Sequence, residues 1–112
     1  MLSPEASPPG VDPAVVFAAL GEPTRLQLVS RLSDGESRSI AQLSDGMGMT
    51  RQGVTKHLRV LEQAGIVRSS RIGRENRFTY APEPIRDIRS YLDQVSAQWD
   101  RSLARLKSFV ED

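Results

Sequence analysis

Cysteine is absent from this 112-residue chain, and histidine and tryptophan occur once each. Without thiols there can be no disulfide, no thiolate metal site, no iron–sulfur cluster and no cysteine nucleophile. Long apolar runs are missing too, and none approaches the roughly 20 residues that span a bilayer. The opening "MLSPEASPPG" has neither the basic start nor the apolar centre of a signal peptide. The chain is therefore expected to be cytoplasmic, with no membrane partner. Also missing are a carboxylate pair, a nucleophile–base spacing, a phosphate-cradling loop and a metal cluster, so catalysis is set aside and no cofactor is expected. Residues 1–11, rich in Pro, Ser and Gly, are expected to form a disordered tail.

Excess charge is scarce as well, since the formal net charge is only +1. Its distribution is uneven. Residues 1–50 carry net −3, residues 51–80 net +5 and residues 81–112 net −1, read directly from the sequence. The middle third holds Arg51, Lys56, Arg59, Arg68, Arg71, Arg74 and Arg77 against Glu62 and Glu75. A basic middle between acidic ends suits a polyanion, although a solvated charged face would have the same composition.

Helical punctuation is plentiful. Asp12-Pro13 starts one helix, "AVVFAAL" follows, and Gly21 ends it. Pro23 opens a second, "PTRLQLVSRL", with Leu26, Val29 and Leu32 expected inward. "ESRS" is a short strand or a connector. "SIAQLSDGMGM" is a short helix with Ser39 as N-cap and Ile40 and Leu43 inward. Thr50 caps the next helix, where Val54, Leu58 and Leu61 fall at i, i+4 and i+7. Gly65 sits where a left-handed cap would stop it.

Beyond Gly65 the period shortens. "IVRSSRIGRENRFTYA" predicts a β-hairpin turning at residues 73–76 with a basic tip. From Pro82–Pro84 to about Val110 a last helix carries Ile85, Ile88, Leu92, Val95, Trp99, Leu103 (or Ser102), Leu106 and Val110 at heptad-like spacing. The expected class is mainly α with a small β-hairpin.

A short helix, a glycine-containing turn, a longer helix and a hairpin form the order of a helix-turn-helix unit. Its second helix enters the major groove of double-stranded DNA. With Val54, Leu58 and Leu61 inward, the opposite face presents Gln52, Thr55, Lys56 and Arg59, with Arg51 at the tip. Gln pairs with adenine, Arg and Lys with guanine, and Thr offers a hydroxyl or a methyl. Gly53 is expected to let the backbone approach DNA. Arg71, Arg74 and Arg77 on the hairpin suit phosphates or a minor groove. A nonspecific DNA-binding protein and a protein–protein adaptor remain as alternatives.

The stretches "VFAALGEPTRLQLVSRL", "SIAQLSDGMGMTRQGVTKHLRVLEQAGIV" and "RSSRIGRENRFTYA" resemble the ArsR/SmtB family of winged helix-turn-helix repressors. The resemblance covers about residues 14–110. It implies a homodimer in which each protomer sets one recognition helix and one wing on half of an inverted repeat. The implied DNA contacts are Arg51, Gln52, Thr55, Lys56 and Arg59, with Arg71, Arg74 and Arg77 on the wing. Metal sensors of the family carry cysteines on the helix here near residues 40–45, or His and acidic ligands on the last helix. This chain has neither pattern, and its single histidine, His57, lies inside the recognition helix. The resemblance therefore implies the metal-independent branch, with no metal site and an unknown effector. His57 is expected to be a partly buried side chain bonded to nearby backbone.

Residues 12–81 are then the DNA-binding domain and residues 82–112 a dimerisation helix. Phe17, Ile88, Leu92, Val95, Trp99, Leu103 and Leu106 are the expected interface, since such a seam is too apolar to leave in water. Trp99 could alternatively line an effector pocket.

Overall fold

The computed structural model describes residues 12–111; the tail expected over 1–11 lies outside them. Five helices and three short strands follow one another: α1 (Pro13–Leu20), α2 (Pro23–Leu32), β1 (Arg38–Ser39), α3 (Ile40–Ser44), α4 (Arg51–Gln63), β2 (Val67–Ile72), β3 (Glu75–Tyr80) and α5 (Glu83–Glu111). The strands form an antiparallel sheet in the order β1-β3-β2. "ESRS" thus contributes a true strand, Arg38 opposite Phe78 and Ser39 opposite Arg77.

The caps explain where the helices begin. The Asp12 carboxylate accepts from the Ala14 N–H at 2.9 Å, and the Thr50 hydroxyl accepts from the Gly53 N–H at 3.0 Å. Ser39 and Gln42 form a reciprocal capping box on α3, a pairing that starts so short a helix. Gly65 ends α4 with φ +79°. Its N–H donates to Glu62 O and the next N–H, of Ile66, to Leu61 O, both at 2.9 Å, which is the Schellman pattern. The hairpin is tighter than expected. Ile72 pairs directly with Glu75, so only Gly73 and Arg74 make the turn, with φ +64° at Gly73.

One core serves the whole domain. Val16 and Ala19 of α1, Leu28 and Leu32 of α2, Leu43 of α3, Val54, Leu58 and Leu61 of α4, Phe78 of β3 and Ile88 of α5 converge there. The expected stripe of α2 needs correction. Leu28 and Leu32 are buried, Val29 flanks them, and Leu26 is exposed. Leu26 and Leu28 lie two residues apart, about 200° around a helix, so only one of them can face the core.

α5 runs for 29 residues, about 43 Å at 1.5 Å per residue. Its first two turns meet the core, Ile88 within it and Ile85 packed against it, and Pro84 is buried beside them. Ile88 is therefore a correction to the expected interface: it is spent on the protomer's own core. Farther along, Leu92, Trp99, Leu103 and Leu106 are exposed, with Trp99 63% accessible. Val95 is half-buried. Phe17 of α1 packs against Tyr91 with the rings tilted at 56° and their centroids 6.3 Å apart, so this apolar surface continues onto α1. Tyr91 and Phe109, also exposed, join the set expected from the sequence.

Leu58→Ala should cost about 2–5 kcal/mol of folding stability, as expected for a fully buried leucine. Leu26→Ala should stay within about 0.5 kcal/mol. Urea unfolding of the two variants against the parent checks both values.

Candidate nucleic-acid interface

The orientation of α4 follows from its apolar stripe. Val54, Leu58 and Leu61 are fully buried, so the opposite side must face out. Arg51, Gln52 and Lys56 are exposed and Thr55 is half-buried. The turn before α4 is held from behind by Arg31, whose guanidinium donates to Leu43 O at 2.8 Å and Asp45 O at 2.7 Å. Gly46 and Gly48, with φ +74° and +66°, let the chain reverse there. α3 and α4 are thereby fixed as a helix-turn-helix unit.

The candidate residues do not share one environment. Arg51, Lys56, Arg71 and Arg74 are exposed and make no ion pair among the described residues. Arg51 and Arg74 line the same depression of about 280 Å³, with Ser39, Ile40, Ala41, Glu75 and Asn76, so the helix tip and the wing tip are neighbours. Arg59 instead leans back over its own domain. It pairs with Glu62 at 2.8 Å, and its guanidinium carbon lies 5.9 Å from the Phe78 ring centroid. The Ser69 hydroxyl, foremost, and Arg59 hold the Glu62 carboxyl below its ordinary range.

Arg77 is drawn inward too. It donates to Ser37 Oγ at 3.0 Å and Ser37 O at 2.9 Å, and pairs with Glu75 at 3.0 Å. These contacts pin β3 to the loop before β1, which points to a structural role. Thr55 donates its hydroxyl to Arg51 O at 2.7 Å, so the hydroxyl is already used within the helix. Gly53 also has a local reason. A Cβ there would lie 3.0 Å from the Met49 side chain and 3.3 Å from the Thr50 hydroxyl that caps the helix. A side chain at this position would therefore crowd the N-terminal cap of α4.

His57 is partly buried, as expected, but its partners are side chains. Its Nδ1 lies 3.1 Å from Arg25 Nη1. Arginine can only donate, so Nδ1 accepts and the ring proton is assigned to Nε2, 3.9 Å from Glu22 Oε2. Desolvation raises the Glu22 carboxyl. Hydrogen bonds from the Arg25 and Thr24 backbone N–H groups, with His57 nearby, outweigh it and leave the group below its ordinary value. The Arg25 guanidinium also donates to Ala18 O and Ala19 O at the end of α1. Arg25 is thus a strut joining α1, α2 and α4. Sequence reasoning missed it because α1 and α4 are distant in the chain and no local spacing links them. Among the described residues no three side chains of His, Cys, Asp or Glu converge to hold a metal ion. None of the helices described is long and apolar enough to cross a membrane.

Comparison with known proteins agrees with this geometry. Residues 20–70 match a protein family described as "Helix-turn-helix domain". The chain is 33% identical to the HTH-type transcriptional regulator YuzN of Bacillus subtilis, with 65% of this chain and 86% of that protein aligned. It is 27% identical to the HTH-type transcriptional regulator MJ1325 of Methanocaldococcus jannaschii, over 73% and 92% of the two chains. Among solved structures, an ArsR-like transcriptional regulator from Rhodococcus sp. RHA1 superposes with a TM-score of 0.74 at 34% identity, covering 87% of this chain and 91% of that one. A homodimeric winged helix-turn-helix DNA-binding domain from Mycobacterium bovis superposes with a TM-score of 0.60 at 25% identity, covering 76% and 78%. The three-stranded sheet beside α3 and α4 supplies the wing that defines this class. The chain belongs to the ArsR family of winged helix-turn-helix transcriptional regulators, as a member without cysteine.

Arg25→Ala should lower folding stability by about 1–3 kcal/mol, because carbonyls and a histidine lose a charged donor together. Arg25→Lys, which lacks the guanidinium fork, should recover only part of the loss. Urea unfolding of the two variants distinguishes these outcomes.

Proposed function

We propose that the chain is a sequence-specific repressor that binds an inverted-repeat operator as a homodimer in the cytoplasm. The observation that carries this reading is the run of exposed, unpaired basic and amide side chains from α4 to the wing tip. Arg51, Gln52 and Lys56 stand on the exposed side of α4, and Arg71 and Arg74 stand on the wing beside it. An α-helix fits the major groove, where Gln52 and Lys56 can reach base edges. Arg71 and Arg74 suit phosphates, which give affinity without sequence choice. Arg59 joins the contact only by giving up Glu62, and Arg77 supports the wing from behind.

The second copy follows from the far half of α5. Leu92, Trp99, Leu103 and Leu106 form a seam that the protomer leaves uncovered. Apolar patches of this extent mark interaction surfaces. A twofold mate covers the same patch on both chains and sets two recognition helices about 34–36 Å apart, one turn of DNA. Residues 82–112 then serve dimerisation and residues 12–81 serve DNA. Trp99 belongs to this seam. Occupying an operator blocks transcription by exclusion, hence a repressor. The homodimeric relative from Mycobacterium bovis supports the dimer.

Lys56→Ala should weaken binding to a selected operator by about 1–3 kcal/mol and relax sequence preference. Arg74→Ala should weaken binding to every duplex alike and flatten the log K against log salt line by about one unit. Fluorescence anisotropy over a salt series reads both, and equal affinity for operator and scrambled duplex would reject the sequence-specific reading. Leu92→Glu combined with Leu106→Glu should give a monomer by sedimentation; a persistent dimer would move the interface elsewhere.

A further inference from the structure

Between α3 and the outward face of α4 lies an open hollow of about 550 Å³, lined by Ile40, Ala41, Arg51, Gln52, Thr55 and Lys56. Its rim and its apolar lining differ in chemistry. The rim carries the exposed heads of Arg51, Gln52 and Lys56, which suit nucleic acid. The apolar part of the lining comes from Ile40 and Ala41 on α3 together with Thr55 on α4. Thr55 would ordinarily offer either a hydroxyl or a methyl to a base. Here its hydroxyl proton is given to Arg51 O at 2.7 Å, so toward a base Thr55 can no longer donate and its methyl is the apolar group it offers.

Resting on the DNA-reading role proposed above, we infer that this hollow is a subsite for the C5-methyl group of thymine. Three apolar groups stand together inside a cationic, groove-facing rim. Among the major-groove edges of the four bases, only thymine presents a methyl group. A polar base edge pressed onto Ile40, Ala41 and the Thr55 methyl loses its water and gains no partner there, which is unfavourable. A methyl group loses nothing by the same move. Gln52 and Lys56 beside the hollow read hydrogen-bonding edges, and the hollow reads the absence of polarity at the adjoining base pair. Each half-site should therefore carry a thymine at one fixed step from the base pairs that Gln52 and Lys56 contact.

The test uses the full chain and duplexes selected by it from a random pool. Each thymine in the selected site is replaced in turn by deoxyuridine, which removes only the methyl group. One position per half-site should weaken binding roughly fourfold, the fold-change equivalent to about 0.8 kcal/mol for one buried methyl. Replacing both symmetric positions should multiply the two losses, to roughly fifteenfold. Thr55→Ser keeps the hydroxyl and loses the methyl, so it should abolish most of the difference between thymine and deoxyuridine. Thr55→Val keeps a methyl and loses the hydroxyl, so it should preserve that difference. Melting curves of both variants confirm folding. A selected operator bound tightly with no thymine sensitive to methyl removal overturns the subsite and leaves operator recognition standing. A sensitive thymine whose effect survives unchanged in Thr55→Ser also overturns it. If selection yields no preferred sequence at all, the sequence-specific reading beneath it falls as well.

Discussion

The rotational setting of α4 about its own axis depends on three side chains. Val54, Leu58 and Leu61 are all fully buried. Side chains on a helix are spaced 100° apart, so fixing these three fixes every other residue of the helix. Turning α4 by half a revolution would drive an ionised lysine and a glutamine amide into the core, at a cost of several kcal/mol. The polar face is therefore as firmly placed as the apolar one. Arg25 from α2 meets the same helix at His57, and Arg31 holds the end of α3 and the turn that precedes it. Recognition chemistry on this chain is a by-product of core packing: what α4 shows to solvent is decided by what it hides.

Local rules read much of this from the sequence. Caps at Asp12, Ser39 and Thr50, the glycine stop at Gly65 and the i, i+4, i+7 stripe of α4 are each written within a few neighbouring residues. Errors arose where the deciding partner is far along the chain. Leu26 and Leu28 have equal claims to a helical stripe, and only the placement of α2 against α4 and β3 chooses Leu28. Arg77 looked like another wing cation, but Ser37, forty positions earlier in the chain, claims it. Ile88 fitted the heptad seam, yet the first turns of α5 lie on the core while the later ones leave it. The resemblance to the ArsR family supplied what no spacing could: that the hairpin is a wing, and the expectation that two copies act together.

Counting cations overstates the charge offered to a polyanion. Of the seven basic residues over 51–80, Arg59, Arg68 and Arg77 face Glu62, Glu83 and Glu75 at 2.8, 2.8 and 3.0 Å. Glu62 and Glu75 are already counted in the net +5 of residues 51–80, but composition does not say which cations they face, and Glu83 lies outside that stretch on another helix. Exposed ion pairs contribute little to stability. Here their larger effect is to cancel field near the site and to confine the positive surface to the helix tip and the wing tip. A narrow positive surface positions a duplex more definitely than a broad one, because fewer displaced arrangements satisfy the same charges.

The two-residue turn of the wing has a mechanical consequence. With Ile72 paired directly to Glu75 there is no slack at the tip, so Arg74 cannot swing as it would on a longer loop. The wing itself is stapled to β1 through β3. The backbone that carries Arg74 is therefore held in place beside the tip of α4, and Arg51 and Arg74 line one small depression. On the proposed function, cations carried on backbone that folding has already fixed reach phosphates without a loop having first to be ordered, so little conformational entropy is lost on binding, whatever sequence is bound.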